Sequence, residues 1–187
     1  MTNRLLFTRL DAPKSRLDGI PIAVKDNILT KGLQSSAAST ILRDFISPID
    51  STAVKKLRAA GAIVIGSANM DEMGMGTFGR FGYEGKSVKN PIDENYFAGG
   101  SSAGSAVIVK SYQALGSLGT DTGGSVNYPA HCCGLFSMKP SFGRISRFGQ
   151  ILYSSSNETT GPFGHSINDV HAFFGKYFAN RPDPTKR

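Results

Sequence analysis

The stretch STAVKKLRAAGAIVIG, Ser51 to Gly66, joins a helical pattern to a strand pattern through one glycine. Asp50 or Ser51 is placed to cap a helix that runs to Ala60, with Lys55 and Lys56 on a solvated surface. Gly61 supplies the left-handed stop. The run AIVIG that follows predicts a buried strand. Upstream, GIPIAV, Gly19 to Val24, reads as a second short buried strand that ends at the polar trio Lys25, Asp26 and Asn27. Strand, helix, strand is the signature of an α/β sheet with parallel pairing.

Working outward, FAGGSSAGS opens a small-residue helix over Ser102 to Ser111, and a strand is predicted near Leu115 to Gly119. A further helix begins around Ser125, with Pro129 in its first turn, where a missing N–H costs little. Ser166 is placed to cap a last helix with the face Ile167, Val170, Phe173, Phe174 and Tyr177. The tail NRPDPTKR is polar and expected to fray. The expected division is a basic leader over residues 1–18, a core over 19–180 and a polar tail over 181–187.

With 187 residues, 40% of them hydrophobic, the chain can bury one sizeable core. No apolar run approaches the ~20 residues of a membrane span. A net charge of +7 is compatible with a polyanionic partner such as RNA without arguing for one. Cys132 and Cys133 are adjacent, which suits neither a redox pair nor a zinc site. They read as buried free thiols in a reducing compartment. In the start of the leader, MTNRLLFTRLDAPKSR, Arg4, Arg9, Lys14 and Arg16 face one acid, Asp11. That is the pattern of an organellar presequence or of an ordinary solvated segment, and its apolar run is too short for a secretory signal.

Two glycine-serine segments, GGSSAGS and DTGGS, carry the chemistry. Neither ends in the Gly-Lys-Ser/Thr of a phosphate loop and neither has GxGxxG, so nucleotide binding by this chain is not expected. Either one alone reads as a tight strand-to-helix turn. Together they suit acyl transfer through a serine, which needs a nucleophile, a proton acceptor and donors for an oxyanion. The backbone N–H groups of Thr122, Gly123, Gly124 and Ser125 are the candidate donors. Histidine is scarce, three in the whole chain, and His131 lies beyond a proline. A lysine desolvated below its usual ~10.4 can accept the proton instead. Lys25 has the setting for it, at the end of an apolar run, and Lys139 is the runner-up. Asp121 reads as a structural acceptor.

The stretches GIPIAVKDN, FAGGSSAGSA and GSLGTDTGGSVNYPAHCCGLFSMKPSFGRISRFG, in this order, resemble the amidase signature family from about Gly19 to Gly149. The resemblance implies a mixed, mostly parallel α/β sheet covered by helices and incomplete in this chain. It also implies a Ser–cis-Ser–Lys triad. Ser125 is then the nucleophile, Lys25 the base and Ser101 the bridging serine behind a cis peptide, with protons passing from Ser125 through Ser101 to Lys25. Read alone, Ser101 would be a helix N-cap; Ser102 keeps that capping role or bonds within the site.

Within the family, DNILTKG, NMDEMGMG and VKNP are similar to the A subunits of glutamyl-tRNA(Gln) amidotransferases. Met70, Met73 and Met75 by themselves read as core packing. This likeness implies glutamine as ammonia donor and Glu-tRNA(Gln) as the acceptor. It implies a B-type partner subunit that uses ATP and magnesium, with room for a small third subunit, and no cofactor on this chain. Three departures stand out: Ala103 for a usual glycine, Asn127 for a usual arginine, and Ser137 with the cysteine pair in a segment that usually reads CGxxGxKP. With the basic leader they suggest the mitochondrial matrix, the cytoplasm being the alternative. The chain is much shorter than family members and reads as a truncated piece with a complete triad and half a pocket. A generic amidase and an inactive assembly module are the competing readings.

Overall fold

The computed structural model describes residues 13–175. The first twelve residues of the leader, Tyr177 and the tail lie outside the described residues. Five strands, β1 (Pro21–Lys25), β2 (Ile63–Ala68), β3 (Gly116–Asp121), β4 (Phe136–Ser137) and β5 (Thr159–Gly164), form one sheet in the order β2-β1-β3-β5-β4. β1 pairs in parallel with β2 and β3, while β5 lies antiparallel between β3 and β4. Four strands therefore run one way and β5 runs against them, giving the mixed, mostly parallel sheet expected. Among the described residues four α-helices flank it: α1 (Thr52–Ala59), α2 (Ala103–Lys110), α3 (Asn127–Cys132) and α4 (Ile167–Phe174).

Strand alternation divides the core between the two faces. Ile22, Val24 and Leu118 pack with Ala53, Val54 and Leu57 of α1 and Phe173 of α4. On the opposite face Ala23 packs with Ala68 and Ala114 against Ile108 of α2. Beside it Ala103, Ala106 and Val109 of α2 meet Ala130 of α3 and Phe163 of β5. The small residues of α2 let that helix lie close on the sheet.

The cap of α1 is Ser51 and not Asp50: its side chain accepts the Val54 N–H at 3.2 Å. Gly61 ends the helix at φ +94°, the left-handed conformation its position required. Ser51→Ala is expected to lower the free energy of unfolding by about 1 kcal/mol in urea denaturation. At the far end Ser166 and Asp169 form a reciprocal capping box on α4.

Two expectations of burial fail. β2 is an edge strand, and Ile63 and Ile65 on its outer face are 43% and 46% exposed. The run AIVIG is apolar, but at the end of the sheet β2 has a neighbouring strand, β1, on one side only. On α4, Val170 and Phe173 are buried while Ile167, in the first turn, projects away from the sheet and is exposed.

Candidate active site

β1 carries Lys25 as its last residue, two positions after Ala23 and hence on the α2 face. The side chain is wholly buried. Its Nζ lies 2.7 Å from Ser101 Oγ, 2.9 Å from Thr120 Oγ1 and 3.4 Å from the Thr120 carbonyl. Burial pushes the ammonium down to about 7, against the opposing pull of the Glu158, Asp121 and Asp71 carboxylates. A lysine in this state exchanges a proton readily near neutrality.

Ser101 precedes α2, and the Gly100–Ser101 peptide bond is cis. The helix N-cap is Ser102, yet its hydroxyl does not bond a helix amide; it donates to the Thr120 carbonyl at 3.2 Å. The Ser102 N–H donates to the Ser125 carbonyl at 3.2 Å, tying the GGSS segment to the DTGGS turn. Ser125 is half-buried in that turn, between β3 and α3.

The turn is organised by Asp121. Its buried carboxylate accepts the N–H groups of Gly124 at 2.8 Å, Val126 at 2.7 Å and Asn127 at 3.3 Å. Lys139 Nζ pairs with it at 2.9 Å and also donates to the Thr122 carbonyl at 2.5 Å. Desolvation pushes the Asp121 carboxyl up. Hydrogen bonds from Lys139, Val126 and Gly124 outweigh this and hold it below the usual carboxylate range.

These contacts correct one expectation and remove a competitor. Gly124 leaves the set of oxyanion donors, because its N–H is already given to Asp121. The N–H groups of Thr122, Gly123 and Ser125 are not donated to any acceptor among the described residues. Lys139, the runner-up base, is committed to an ion pair. None of the histidines bonds to Lys25, Ser101 or Ser125: His165 contacts the Val109 carbonyl at 2.8 Å and stacks on Tyr112. Asn127, in place of the usual arginine, accepts from the Ser137 hydroxyl at 3.2 Å. Of the cysteine pair, Cys133 is buried with its thiol pushed up to about 12 by desolvation, and Cys132 is half-buried.

Sequence reasoning missed Thr120, Asp71 and Glu158. Thr120 Oγ1 receives both Lys25 Nζ and Asn27 Nδ2, the latter at 3.1 Å. A threonine and an aspartate closing a strand whose six residues are all buried were the available signal. Glu158 is buried, with Oε2 accepting the Tyr153 N–H at 2.7 Å and the Ser154 N–H at 3.2 Å. Asp71 stands in NMDEMGMG, where the methionines and not the acids carry the obvious signal.

A lysine near neutrality, two serines and a strip of free amides form the equipment for acyl transfer at an amide carbonyl. The family model for Amidase matches residues 6–186. The chain belongs to the amidase family. The A subunit of glutamyl-tRNA(Gln) amidotransferase from Archaeoglobus fulgidus is 49% identical over 157 residues, covering 84% of this amidase and 34% of the relative. The protein of the same name from Symbiobacterium thermophilum is 46% identical, covering 88% and 33%. This amidase thus spans about a third of the length of the curated relatives it matches. Among solved structures, the glutamyl-tRNA(Gln) amidotransferase A subunit from Thermotoga maritima is 39% identical with a TM-score of 0.84, covering 90% of this chain and 37% of that one. A peptide amidase from Stenotrophomonas maltophilia is 35% identical with a TM-score of 0.85, covering 94% and 37%.

Proposed function

We propose that this amidase chain carries the nucleophile-bearing part of the glutamine-hydrolysing A subunit of a glutamyl-tRNA(Gln) amidotransferase. The observation that carries the reading is the 2.7 Å contact between Ser101 and a wholly buried lysine. In this mechanism neutral Lys25 takes a proton from Ser101 as Ser101 takes one from Ser125. Ser125 Oγ attacks the side-chain amide carbon of glutamine. The oxyanion is received by the N–H groups of Thr122, Gly123 and Ser125. Collapse breaks the C–N bond, the relay returns the proton to the leaving nitrogen, and ammonia departs. Water then frees glutamate from Ser125 by the same route.

The amidotransferase reading is supported by the relatives' names and by NMDEMGMG, and it brings its partners with it. Ammonia passes to a B-type subunit, where ATP and magnesium serve to activate glutamate on tRNA; a small third subunit fits the same assembly. The mitochondrial matrix is the compartment proposed, on the basic leader together with the departures at Ala103, Asn127 and Ser137, with the cytoplasm as the alternative. The second reading, a simple amidase, draws on an equally close structural likeness to a peptide amidase. Ammonia release from glutamine, measured with and without a B-type partner and beside simple amides, separates the two. Turnover of simple amides in preference to glutamine sinks the amidotransferase assignment.

The pH dependence follows from Lys25. Its lowered value, about 7, means that the reactive neutral form grows as pH rises, so the rate should climb with a midpoint near 7. Joint replacement of His131, His165 and His171 should leave that limb in place, and its loss in the triple variant would restore a histidine mechanism. Stability follows the same sign. Between the folded value near 7 and the unfolded 10.5 the unfolded chain binds more protons, so this group's contribution favours folding more as pH rises through that window.

A further inference from the structure

Asp71 follows β2 and is wholly buried. Its N–H donates to the Ser101 carbonyl at 3.1 Å, so its main chain holds the bridging serine. Its carboxylate accepts the Phe81 N–H at 2.9 Å and the Gly79 N–H at 3.1 Å. No lysine or arginine among the described residues forms an ion pair with it. The chain makes room for this carboxylate on two sides. A Cβ on Gly100 would lie 2.0 Å from Asp71 Oδ2, and one on Gly76 would lie 2.3 Å from Asp71 Cγ.

Two neutral amides do not require a charged acceptor, and burying a carboxylate without a cation is costly. The charge has a use only if something nearby responds to it. We infer that Asp71 is a positioning residue for the proposed relay: its main chain fixes Ser101, and its carboxylate, behind Gly100, supplies a negative field at Lys25. The inference rests on the Ser125–Ser101–Lys25 reading. Three carboxylates face Lys25. Asp121, at the end of β3, is neutralised by Lys139. Glu158, before β5, is held by two amides and touches neither serine. Asp71 has the smallest pull of the three on Lys25, yet it alone is hydrogen-bonded to the backbone of Ser101, at 3.1 Å.

A fluorophosphonate probe tests this without any need for glutamine, because Ser125 displaces fluoride from phosphorus and gives its proton to the relay. Labelling of the wild-type chain should rise with pH through a midpoint near 7. Asp71→Asn removes the negative charge, which destabilises the ammonium, so the midpoint should move down, by a fraction of a pH unit because Asp71 is the weakest of the three carboxylates acting on Lys25. If this variant fails to fold by circular dichroism, Asp71→Ser carries the same arm. Gly76→Ala keeps the charge but crowds Asp71 and disturbs its hold on Ser101, so the midpoint should move less than in Asp71→Asn while the plateau rate falls by roughly tenfold. An unmoved midpoint in the charge-removing variant, or an unchanged plateau in Gly76→Ala, overturns the role of Asp71 while the triad stands. Labelling that survives Ser125→Ala, or a wild type with no pH limb, overturns the triad and this inference with it.

Discussion

Ser125→Ala is expected to abolish covalent labelling by a fluorophosphonate and to lower amide hydrolysis by roughly a thousandfold or more. The fold should be unaffected, because among the described residues no hydrogen bond passes through the Ser125 hydroxyl. Its main chain does the structural work, accepting the Ser102 N–H. No other serine of the chain follows a donor strip like Thr122-Gly123, so no neighbour can take over. Mass spectrometry of the labelled protein checks the result directly. An adduct on another residue would move the nucleophile elsewhere.

Lys25→Met should bring a loss of similar size, and with it the loss of the pH limb near 7. Methionine fills most of the lysine volume, so the effect reports the missing amine and not a cavity. In the proposed mechanism Ser101 and Lys25 lie on one proton route. Adding Ser101→Ala to Lys25→Met should therefore cost little more than either alone, as happens when residues act as a unit. Effects that multiply in the double variant would show two independent routes. The same substitution removes a desolvated amine, so unfolding in urea at neutral pH should require no less denaturant than wild type.

The legible parts of the fold were those with local signals. Ser51, Gly61 and the runs on either side announce β1, α1 and β2 because capping and periodicity act over a few residues. β5 was not legible. Its sequence TTGPFG holds two glycines and a proline, which argue against a strand, and only pairing with β3 and β4 makes it one. The exposure of Ile63 and Ile65 was hidden for a related reason: composition shows that a strand is apolar, not whether it lies at an edge.

At the site, Lys25, Ser101 and Ser125 could be nominated because each belongs to a long motif, and the contact of Lys25 with Ser101 agrees with that nomination. The fate of the Gly124 N–H was not, since it depends on which way Asp121 turns its carboxylate. Asp71 and Glu158 act through space on a lysine far away in the chain. Nothing in their immediate neighbours marks an acid that works at such a distance.

The contact between Lys25 and Ser101 joins residues 76 positions apart, and that between Asn27 and Ile151 spans 124. Closing loops of that size costs entropy before any contact repays it, and such contacts tend to form late. A chain with α1 and α2 already wound still has an ordinary serine at position 125 and an ordinary lysine at 25. On the proposed mechanism, nucleophilic power is therefore acquired only when the centre of the sheet is complete. A half-folded chain emerging from synthesis cannot attack the amides around it, and a serine probe added at intervals during refolding would time the closing of β1 against β3.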